Sequence, residues 1–240
     1  MKKNLLFVLL FIVGCESSND SINLSSGNGF SSDFSSGSES STGIGGSMAR
    51  FTIVDDYLYT VDSWTLKSYD ISDQENPVHR DDVDLGWGIE TIFPYKGNLF
   101  IGAQSGMHIY DLEVKETPRW ISTYEHMTSC DPVVVQGDYA FVTLRGGTEC
   151  QGFSNQLDII DISELRNPLL LKTYPMINPH GLGVDENCLF ITEGEFGLKM
   201  YDISNLNNIE LIKHFEDINS VDVIPFMDVL MVIGSDGFHQ

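Results

Sequence analysis

The sequence predicts an all-β fold, a β-propeller of four-stranded antiparallel blades with about four complete blades and a partial fifth. The first observation behind this prediction is a repeated segment in which an aspartate lies between apolar residues; its aspartates are Asp70, Asp111, Asp161 and Asp202. They are 41, 50 and 41 residues apart, and a fixed period of this size indicates a repeat architecture. The second observation is that each unit contains short apolar runs bounded by Gly, Asn, Asp and Pro turns at a spacing of about 8–12 residues, which is typical of antiparallel all-β structure.

The second unit shows its four predicted strands most clearly. They cover residues 90–94, 99–102, 107–111 and 120–124, with turn residues between them. Polar and apolar positions roughly alternate within 66–71 and 198–203, which is the period of a strand with one wetter face. Four strands in a repeating unit correspond to a propeller blade. A parallel β-helix, the competing architecture, would have shorter rungs and would lack the hairpin turns.

The repeated aspartates have a structural explanation. A proline follows the first three of them, as Pro77, Pro118 and Pro168, and turns the chain between the third and fourth strands without removing a ladder hydrogen bond. Aspartate side chains accept backbone hydrogen bonds in such turns. We therefore expect the four repeat aspartates to cap these turns, and we assign them no catalytic role.

The repeats occupy residues 47–240, in units of approximately 49–86, 89–127, 131–176, 180–217 and 220–240. The third unit carries about nine extra residues, at 146–156, and insertions in repeat arrays often form binding loops. The last unit stops where the next repeated segment would fall. Such a unit is either completed by N-terminal strands or belongs to a larger propeller; we favour the second interpretation, which would leave an aggregation-prone edge.

The units resemble the LVIVD repeats of bacterial and archaeal surface proteins. The resemblance rests on the order strand, Gly or Asp turn, strand, Gly turn, and then the apolar-Asp-apolar-Ser segment, and it extends over nearly everything from Met48 onward. It implies a propeller and a location outside the cytoplasm. It leaves the molecular activity undefined.

The N-terminus predicts a lipid anchor. Lys2 and Lys3 precede nine apolar residues at 5–13, a run too short for a membrane span, which needs about 20. The run ends before Gly14 and Cys15 and resembles the bacterial lipoprotein box, which implies a signal peptide at 1–14 and lipidation of Cys15. Residues 15–46 are rich in Ser and Gly and predict a flexible tether. Resemblance to lipoproteins of the Bacteroidetes group implies an outer-membrane site and leaves open whether it is periplasmic or surface-exposed.

The charge of the chain limits the kinds of partner it can bind, and its cysteines indicate an oxidising compartment. The chain has 35 acidic and 13 basic residues, a net charge of −22, so it lacks the basic surface that nucleic-acid binding requires. With Cys15 assigned to lipid, we predict a disulfide between Cys130 and Cys150, which would restrain the insertion of the third unit. Cys188 is expected to be a small buried thiol.

Aligning the first strands of the units predicts a cluster at one mouth of the central channel. One aligned position holds Glu90, Asp131 and His180, and the next holds Arg50 and Asp222. First strands line the channel of a propeller, so these five side chains should converge. A histidine among carboxylates could bind a divalent cation or carry out acid–base chemistry. Polar residues at strand ends in a water-filled channel are the simpler explanation.

No nucleophile elbow, His-Glu-x-x-His motif or phosphate-binding loop is present in the sequence. We therefore favour a non-catalytic envelope module that binds a protein or a glycan and needs no cofactor. The alternative is a metal-dependent hydrolase or lyase at the channel mouth. A further candidate is a carbohydrate-stacking surface formed by Trp64, Trp87 and Trp120 with Tyr57 and Tyr59, although aromatic strand residues more often belong to the core.

Overall fold

The predicted propeller is confirmed. A computed structural model describes residues 46–126, 132–147 and 154–240, and these residues form five antiparallel blades, four with four strands and the last with three. The predicted signal peptide, Cys15 and nearly all of the tether lie outside the described residues. So do Cys130, Asp131 and Cys150.

The strands follow one another in chain order within each blade. Blade 1 contains β1 (Phe51–Val54), β2 (Tyr57–Val61), β3 (Thr65–Asp70) and β4 (Val78–Asp84). Blade 2 contains β5 (Ile89–Tyr95), β6 (Asn98–Ala103), β7 (Gly106–Asp111) and β8 (Arg119–Glu125). Blade 3 contains β9 (Val133–Gln136), β10 (Tyr139–Leu144), β11 (Gln156–Asp161) and β12 (Leu169–Pro175). Blade 4 contains β13 (Leu182–Asp185), β14 (Cys188–Thr192), β15 (Leu198–Asp202) and β16 (Glu210–Phe215). Blade 5 contains β17 (Ser220–Phe226), β18 (Val229–Gly234) and β19 (Gly237–His239).

The first strands surround a central channel. Each of β1, β5, β9 and β13 contacts the first strand of the next blade, whereas the fourth strands are the outer edges of their sheets. All first strands run in the same direction, so their N-terminal ends meet at one end of the channel, which we call the mouth. Residues that precede or open the first strands are therefore placed around one opening.

A tight turn joins the first and second strands in every blade. Its first residue has a positive φ in all five blades, at Asp55, Lys96, Gly137, Glu186 and Met227. This conformation suits the right-handed twist of the flanking strands, and it is why polar residues and glycine dominate these turns.

The repeated aspartates cap the turns that follow the third strands, as predicted. Asp161 Oδ1 accepts hydrogen bonds from Ser163 N at 2.9 Å and from Ser163 Oγ at 2.6 Å. Asp70, Asp111 and Asp202 accept the equivalent backbone N–H two residues further on. These bonds lower the pKa of Asp161 and Asp202, because they stabilise the ionised carboxylates.

The core consists of apolar layers between neighbouring blades. Val54, Tyr59 and Leu66 of blade 1 pack against Ile92 and Leu99 of blade 2, and similar clusters join blade 2 to blade 3 and blade 3 to blade 4. Strands β6, β10 and β11 carry continuous runs of buried residues, because each of these blades packs between two neighbours and covers both faces of its sheet.

One cysteine prediction is wrong. Cys188, at the start of β14, is disulfide-bonded and is not a free buried thiol. The predicted pair of Cys130 and Cys150 lies outside the described residues. The part of the chain that the structure describes contains no helical segment with the length and apolar character of a membrane span.

Candidate functional site

The mouth of the channel opens into a cavity of about 380 Å³. Its walls come from the mouth-side ends of blades 1 to 4, and the lining residues are Met48, Arg50, Glu90, Thr91, Gln104, Pro132, Arg145, Pro179 and His180. A cavity of this size is within the range of small-molecule sites, which is about 300–1,000 Å³. We call it the mouth cavity.

A β-bulge places Glu90 in the wall of the mouth cavity. Ile89 pairs with Ala103 and Thr91 pairs with Gly102, so Glu90 is the extra residue of β5. Bulges reorient a side chain and occur frequently beside functional sites. Gln104 Nε2 donates a hydrogen bond of 3.2 Å to Glu90 Oε1, which positions the carboxylate beside the end of β6.

Arg50 lies directly before β1 and is exposed at the mouth. Its Nη2 donates a hydrogen bond of 2.6 Å to the carbonyl oxygen of Ile89, the residue before Glu90. A guanidinium carries five N–H donors in a planar fork, so this bond orients the group across the seam between blades 1 and 2 and uses only one donor.

His180 is neutral at neutral pH. Arg145 Nη1 lies 3.3 Å from His180 Nε2, and Asn178 Nδ2 lies 3.2 Å from the same atom. A guanidinium can only donate, so Nε2 must accept and the ring proton is on Nδ1. Burial, with a further contribution from the positive charge of Arg145, lowers the pKa of His180 to about 4.

A buried ion pair supports the loop that carries His180. Glu193 and Lys199 of blade 4 are both buried, and Lys199 Nζ lies 2.5 Å from Glu193 Oε2. Glu193 Oε1 accepts a hydrogen bond of 2.9 Å from the backbone N–H of Ile177, three residues before His180. The Glu193 carboxylate thus connects the loop before His180 to a buried ion pair of blade 4.

Asp222 does not line the mouth cavity. Its Oδ1 accepts hydrogen bonds of 3.0 Å from Ser47 Oγ and 3.0 Å from Val223 N. Gly181 packs closely on it, so that a Cβ on Gly181 would lie 2.2 Å from Asp222 Oδ1. The carboxyl group therefore occupies space inside the channel that glycine leaves open, and burial raises its pKa.

The segment that contains Ser47 lies in the channel below the mouth cavity and forms hydrogen bonds to three blades. Its Oγ accepts a hydrogen bond of 2.8 Å from Leu182 N of blade 4 and donates to Asp222 of blade 5, while the carbonyl of Ala49 accepts from Ile92 N of blade 2. A second cavity of about 200 Å³, mostly apolar, is lined by Ser47 and by first-strand residues of blades 2 to 5. Residues 46–49 thus form the floor of the mouth cavity.

Another cavity, of about 530 Å³, lies between the turns of blades 3 and 4 that face away from the mouth. Its lining includes Asp138, Glu186 and three asparagines, Asn187, Asn205 and Asn207. It is larger than the mouth cavity, but its walls are hairpin turns and it lacks a basic side chain. We regard the mouth cavity as the candidate site because charged groups of both signs converge there.

The predicted mouth residues are partly brought together. Arg50, Glu90 and His180 line the same cavity, Asp222 is directed elsewhere, and Asp131 lies outside the described residues. The alignment of first strands missed Gln104 and Arg145, which directly follow the second strands β6 and β10. Applying the same repeat alignment to the second strands would have identified them.

The exposed tryptophans also have a defined location. Trp64 and Trp87, each 55% exposed, lie in the mouth-end loops of blade 1, which connect β2 to β3 and β4 to β5. The two loops are joined because Leu85 N donates to Trp64 O at 2.8 Å. In contrast, Trp120 lies on the outer strand β8 and Tyr59 is fully buried in the core, so these two residues do not extend the mouth surface.

The donor set of the mouth cavity does not resemble a metal site. Within residues 46–126, 132–147 and 154–240, no group of three or more His, Cys, Asp or Glu side chains is placed to hold a metal ion. The predicted ring of a histidine and several carboxylates is therefore not formed by the residues that the structure describes.

Comparison with known proteins supports the fold. Residues 129–175 match the LVIVD repeat, which coincides with blade 3. The computationally designed Ika8 protein superimposes with a TM-score of 0.57 at 12% identity, over 78% of this chain and 55% of that one. A functionally unknown protein from Desulfotomaculum acetoxidans gives a TM-score of 0.57 at 14% identity, over 76% of this chain and 66% of that one.

Apo AztD from Citrobacter koseri gives a TM-score of 0.51 at 10% identity, over 77% of this chain and 59% of that one. The chain thus spans roughly three fifths of the length of these structures. Identities this low support a shared fold and no shared activity. No curated protein sequence matches the chain significantly.

Proposed function

We propose that this protein is a non-catalytic binding module of the bacterial envelope and that its protein or glycan ligand is held at the mouth cavity. The observation that carries the proposal is the convergence of Arg50, Glu90, Arg145 and His180, from four different blades, on one cavity of about 380 Å³. Polar groups held in or next to the ends of separate strands around a concavity are the usual construction of a ligand site.

The chemistry of His180 favours binding over catalysis. A general acid or base works best with a pKa near the operating pH, whereas burial and Arg145 lower the pKa of His180 to about 4. The guanidinium of Arg145 at 3.3 Å from Nε2 would also repel a cation from the nitrogen that a metal would use. These features speak against the alternative of a metal-dependent hydrolase or lyase.

The envelope location rests on the N-terminal sequence. The lipoprotein box ending at Cys15 and the Ser- and Gly-rich segment up to residue 46 would hold the propeller at a membrane by a flexible tether. A tether of some thirty residues has a mean reach of about 30 Å. Mass spectrometry of the mature N-terminus tests this directly: we expect an acylated Cys15, and an unmodified N-terminus would contradict the anchor.

The binding proposal is tested by blocking the mouth cavity. The full chain, a Met48→Trp variant and a Met227→Trp variant are immobilised and exposed to envelope proteins and polysaccharides from the source cell. Met48 lines the cavity, whereas Met227 is 80% exposed in the turn of blade 5 and serves as the matched control. We expect one ligand to be retained by the wild type and the control and to be lost from Met48→Trp.

Equal retention by all three proteins would place the binding surface elsewhere and contradict the proposal. Metal content of the purified chain is measured in parallel. Stoichiometric metal that is lost in a His180→Ala variant, together with turnover of a retained ligand, would favour the enzyme instead.

A further inference from the structure

We propose that the ligand is an acidic glycan, a chain of largely neutral sugars that presents one sugar carboxylate to Arg50 while neighbouring rings lie on Trp64 and Trp87. This inference rests on the proposed function, because it assigns a ligand class to the same mouth cavity. It is carried by a separate observation, the hydrogen-bonded connection between the segment of Arg50 and two loops that each carry an exposed tryptophan.

Arg50 has the properties of a carboxylate anchor. The chain has only 13 basic residues against 35 acidic ones, yet two of the 13, Arg50 and Arg145, line one cavity. Arg50 is exposed and is oriented through a single bond from Nη2 to the carbonyl of Ile89. The planar guanidinium fork matches a carboxylate in a bidentate arrangement, so an orientation fixed in advance lowers the entropic cost of binding.

The rest of the wall suits hydroxyl groups. Glu90 and Gln104 are half-buried in the wall next to Arg50, and the Gln104 amide donates to Glu90 Oε1. A carboxylate accepts and an amide N–H₂ group donates, so the pair offers both kinds of partner that the hydroxyls of a sugar ring require. His180 contributes a neutral ring with its proton on Nδ1, so it adds polarity without adding charge.

The loops that carry the two tryptophans adjoin the mouth cavity at blade 1. Trp87 is two residues from Ile89, whose carbonyl accepts the bond from Arg50, so the chain between them spans at most about 7 Å. Trp64 follows Ser63, whose carbonyl accepts a hydrogen bond from Gly88 N in the loop of Trp87. Val61, three residues before Trp64, donates its backbone N–H to Arg50 O. Both side chains are more than half exposed, although most large aromatic residues bury their area.

The loops that carry these tryptophans are fixed by hydrogen bonds. Asp62 Oδ1 accepts from both Trp64 N and Thr65 N at 2.8 Å, and Gln104 N donates to Gly88 O at 2.9 Å. The second bond joins the Trp87 loop to a residue of the cavity wall. Exposed aromatic side chains on loops held by hydrogen bonds beside a polar cavity fit a sugar chain, in which each ring has an apolar face and a polar rim.

The net charge limits how acidic this glycan can be. At −22 the molecule repels a densely charged polyanion at long range, whereas a single carboxylate can be satisfied locally by Arg50. The proposal therefore specifies sparse carboxylates along a neutral chain and excludes a continuous polyuronate.

The test uses the full chain and matched pairs of oligosaccharides in isothermal titration. The probes are acidic oligosaccharides from glucuronoxylan and gum arabic, the same oligosaccharides after reduction of their carboxyl groups to alcohols, and oligogalacturonate. We expect an acidic oligosaccharide to bind and its reduced counterpart to bind at least tenfold more weakly, since a charge-assisted bidentate contact is lost. Oligogalacturonate should also bind more weakly.

Variants locate the two contacts. Arg50→Met should weaken binding of the acidic oligosaccharide by about tenfold or more and should leave the reduced one unaffected, with Arg119→Met on the outer strand β8 as control. Trp87→Ala should weaken binding of both forms by about two- to tenfold, with Trp120→Ala as control.

Equal affinity for acidic and reduced forms, or no binding of any acidic oligosaccharide, would overturn the inference. If the ligand that is lost from Met48→Trp proves to be a neutral glycan or a protein, the proposed function stands and the acidic-glycan assignment fails. If no ligand depends on Met48, both fail.

Discussion

At the scale of single residues, aspartates serve two opposite roles in this protein. The repeat aspartates cap turns at the surface by accepting hydrogen bonds from the backbone N–H two residues further on, and hydrogen bonds from Ser163 and Ser204 lower the pKa of Asp161 and Asp202. Asp222 is enclosed by Gly46, Gly181 and Ser47 within the channel, and burial raises its pKa. The same side chain therefore stabilises a turn in one place and connects two blades in the other.

The raised pKa of Asp222 gives a pH prediction. A carboxyl whose pKa is higher in the folded state contributes stability below its unfolded pKa and loses that contribution as the pH rises through its folded pKa. As the pH rises from the ordinary pKa of an aspartate, about 4, the free energy of unfolding of Asp222→Asn should therefore improve relative to that of the wild type. Denaturant unfolding as a function of pH measures it.

The control for this prediction is Asp138→Asn, in the exposed turn between β9 and β10. The contribution of the turn aspartates with lowered pKa to the free energy of unfolding also falls as the pH falls. This loss is the same in wild type and variant, so the difference between their free energies of unfolding isolates the effect of Asp222. Parallel stability curves for wild type and Asp222→Asn would contradict the account of this carboxyl.

At the scale of elements, the loops between third and fourth strands fasten each blade to the one before it. Tyr59 Oη of blade 1 donates to Lys115 O of blade 2 at 2.7 Å, and Ser122 Oγ of blade 2 donates to Leu165 O of blade 3. Tyr174 of blade 3 repeats the contact with blade 4. The aspartate-capped turn thus presents backbone carbonyls to a neighbour in addition to reversing the chain.

Tyr174→Phe tests this contact. Tyr174 Oη donates to Leu206 O at 2.8 Å and accepts from Ile209 N at 3.2 Å, so the variant leaves two backbone groups unpaired at the blade interface. We expect a loss of about 1–3 kcal/mol in the free energy of unfolding, measured by denaturant titration.

Tyr69→Phe is the matched control for Tyr174→Phe. The Tyr69 ring packs on His79, and its hydroxyl has no hydrogen-bond partner among the residues that the structure describes. A loss of stability as large in Tyr69→Phe as in Tyr174→Phe would mean that the hydroxyl contact between blades contributes nothing specific.

The elements also show what the sequence could predict and what it could not. The period of the repeat aspartates places the blades, because strand alternation and turn residues are local properties. The bulge at Glu90 is not predictable in this way, since it depends on how β5 pairs with β6. The position of Asp222 depends on Gly46, 176 residues away in the chain, and a repeat alignment contains no such information.

At the scale of the whole molecule, blades 1 and 5 are joined by side chains and not by strand pairing. Ser47 and Asp222 connect them, while the strands of the two blades belong to separate sheets. Val54 of β1 packs into the interface with blade 2, but Phe51 on the opposite face is 61% exposed, and Phe238 of β19 is 60% exposed. Blades 1 and 5 therefore each expose a phenylalanine on a strand.

Exposed aromatic side chains on strands promote association. The double variant Phe51→Thr, Phe238→Thr should aggregate more slowly than wild type at elevated concentration, as measured by light scattering, with little change in the unfolding midpoint. Phe196→Thr, which removes a 41% exposed phenylalanine from a loop of blade 4, is the control. Equal aggregation of wild type and double variant would show that Phe51 and Phe238 do not form the associating surface.

The whole-molecule architecture followed from the repeat period together with the strand and turn pattern of each unit, whereas the candidate site followed only in part. Arg50, Glu90 and His180 were predictable because first strands line the channel of any propeller. The neutrality of His180 was not, because it depends on burial of the ring and on Arg145, which reaches His180 from the end of β10 in a different blade.

The most direct test of the mouth cavity as the ligand site is a methyl NMR titration of the full chain labelled at its methionines. Met48 lines the cavity and Met227 lies in the exposed turn of blade 5. With the acidic oligosaccharides as titrant, we predict saturable shifts of the Met48 methyl signal and an unchanged Met227 signal. Binding that leaves Met48 unshifted, or that shifts Met227 instead, would contradict the account.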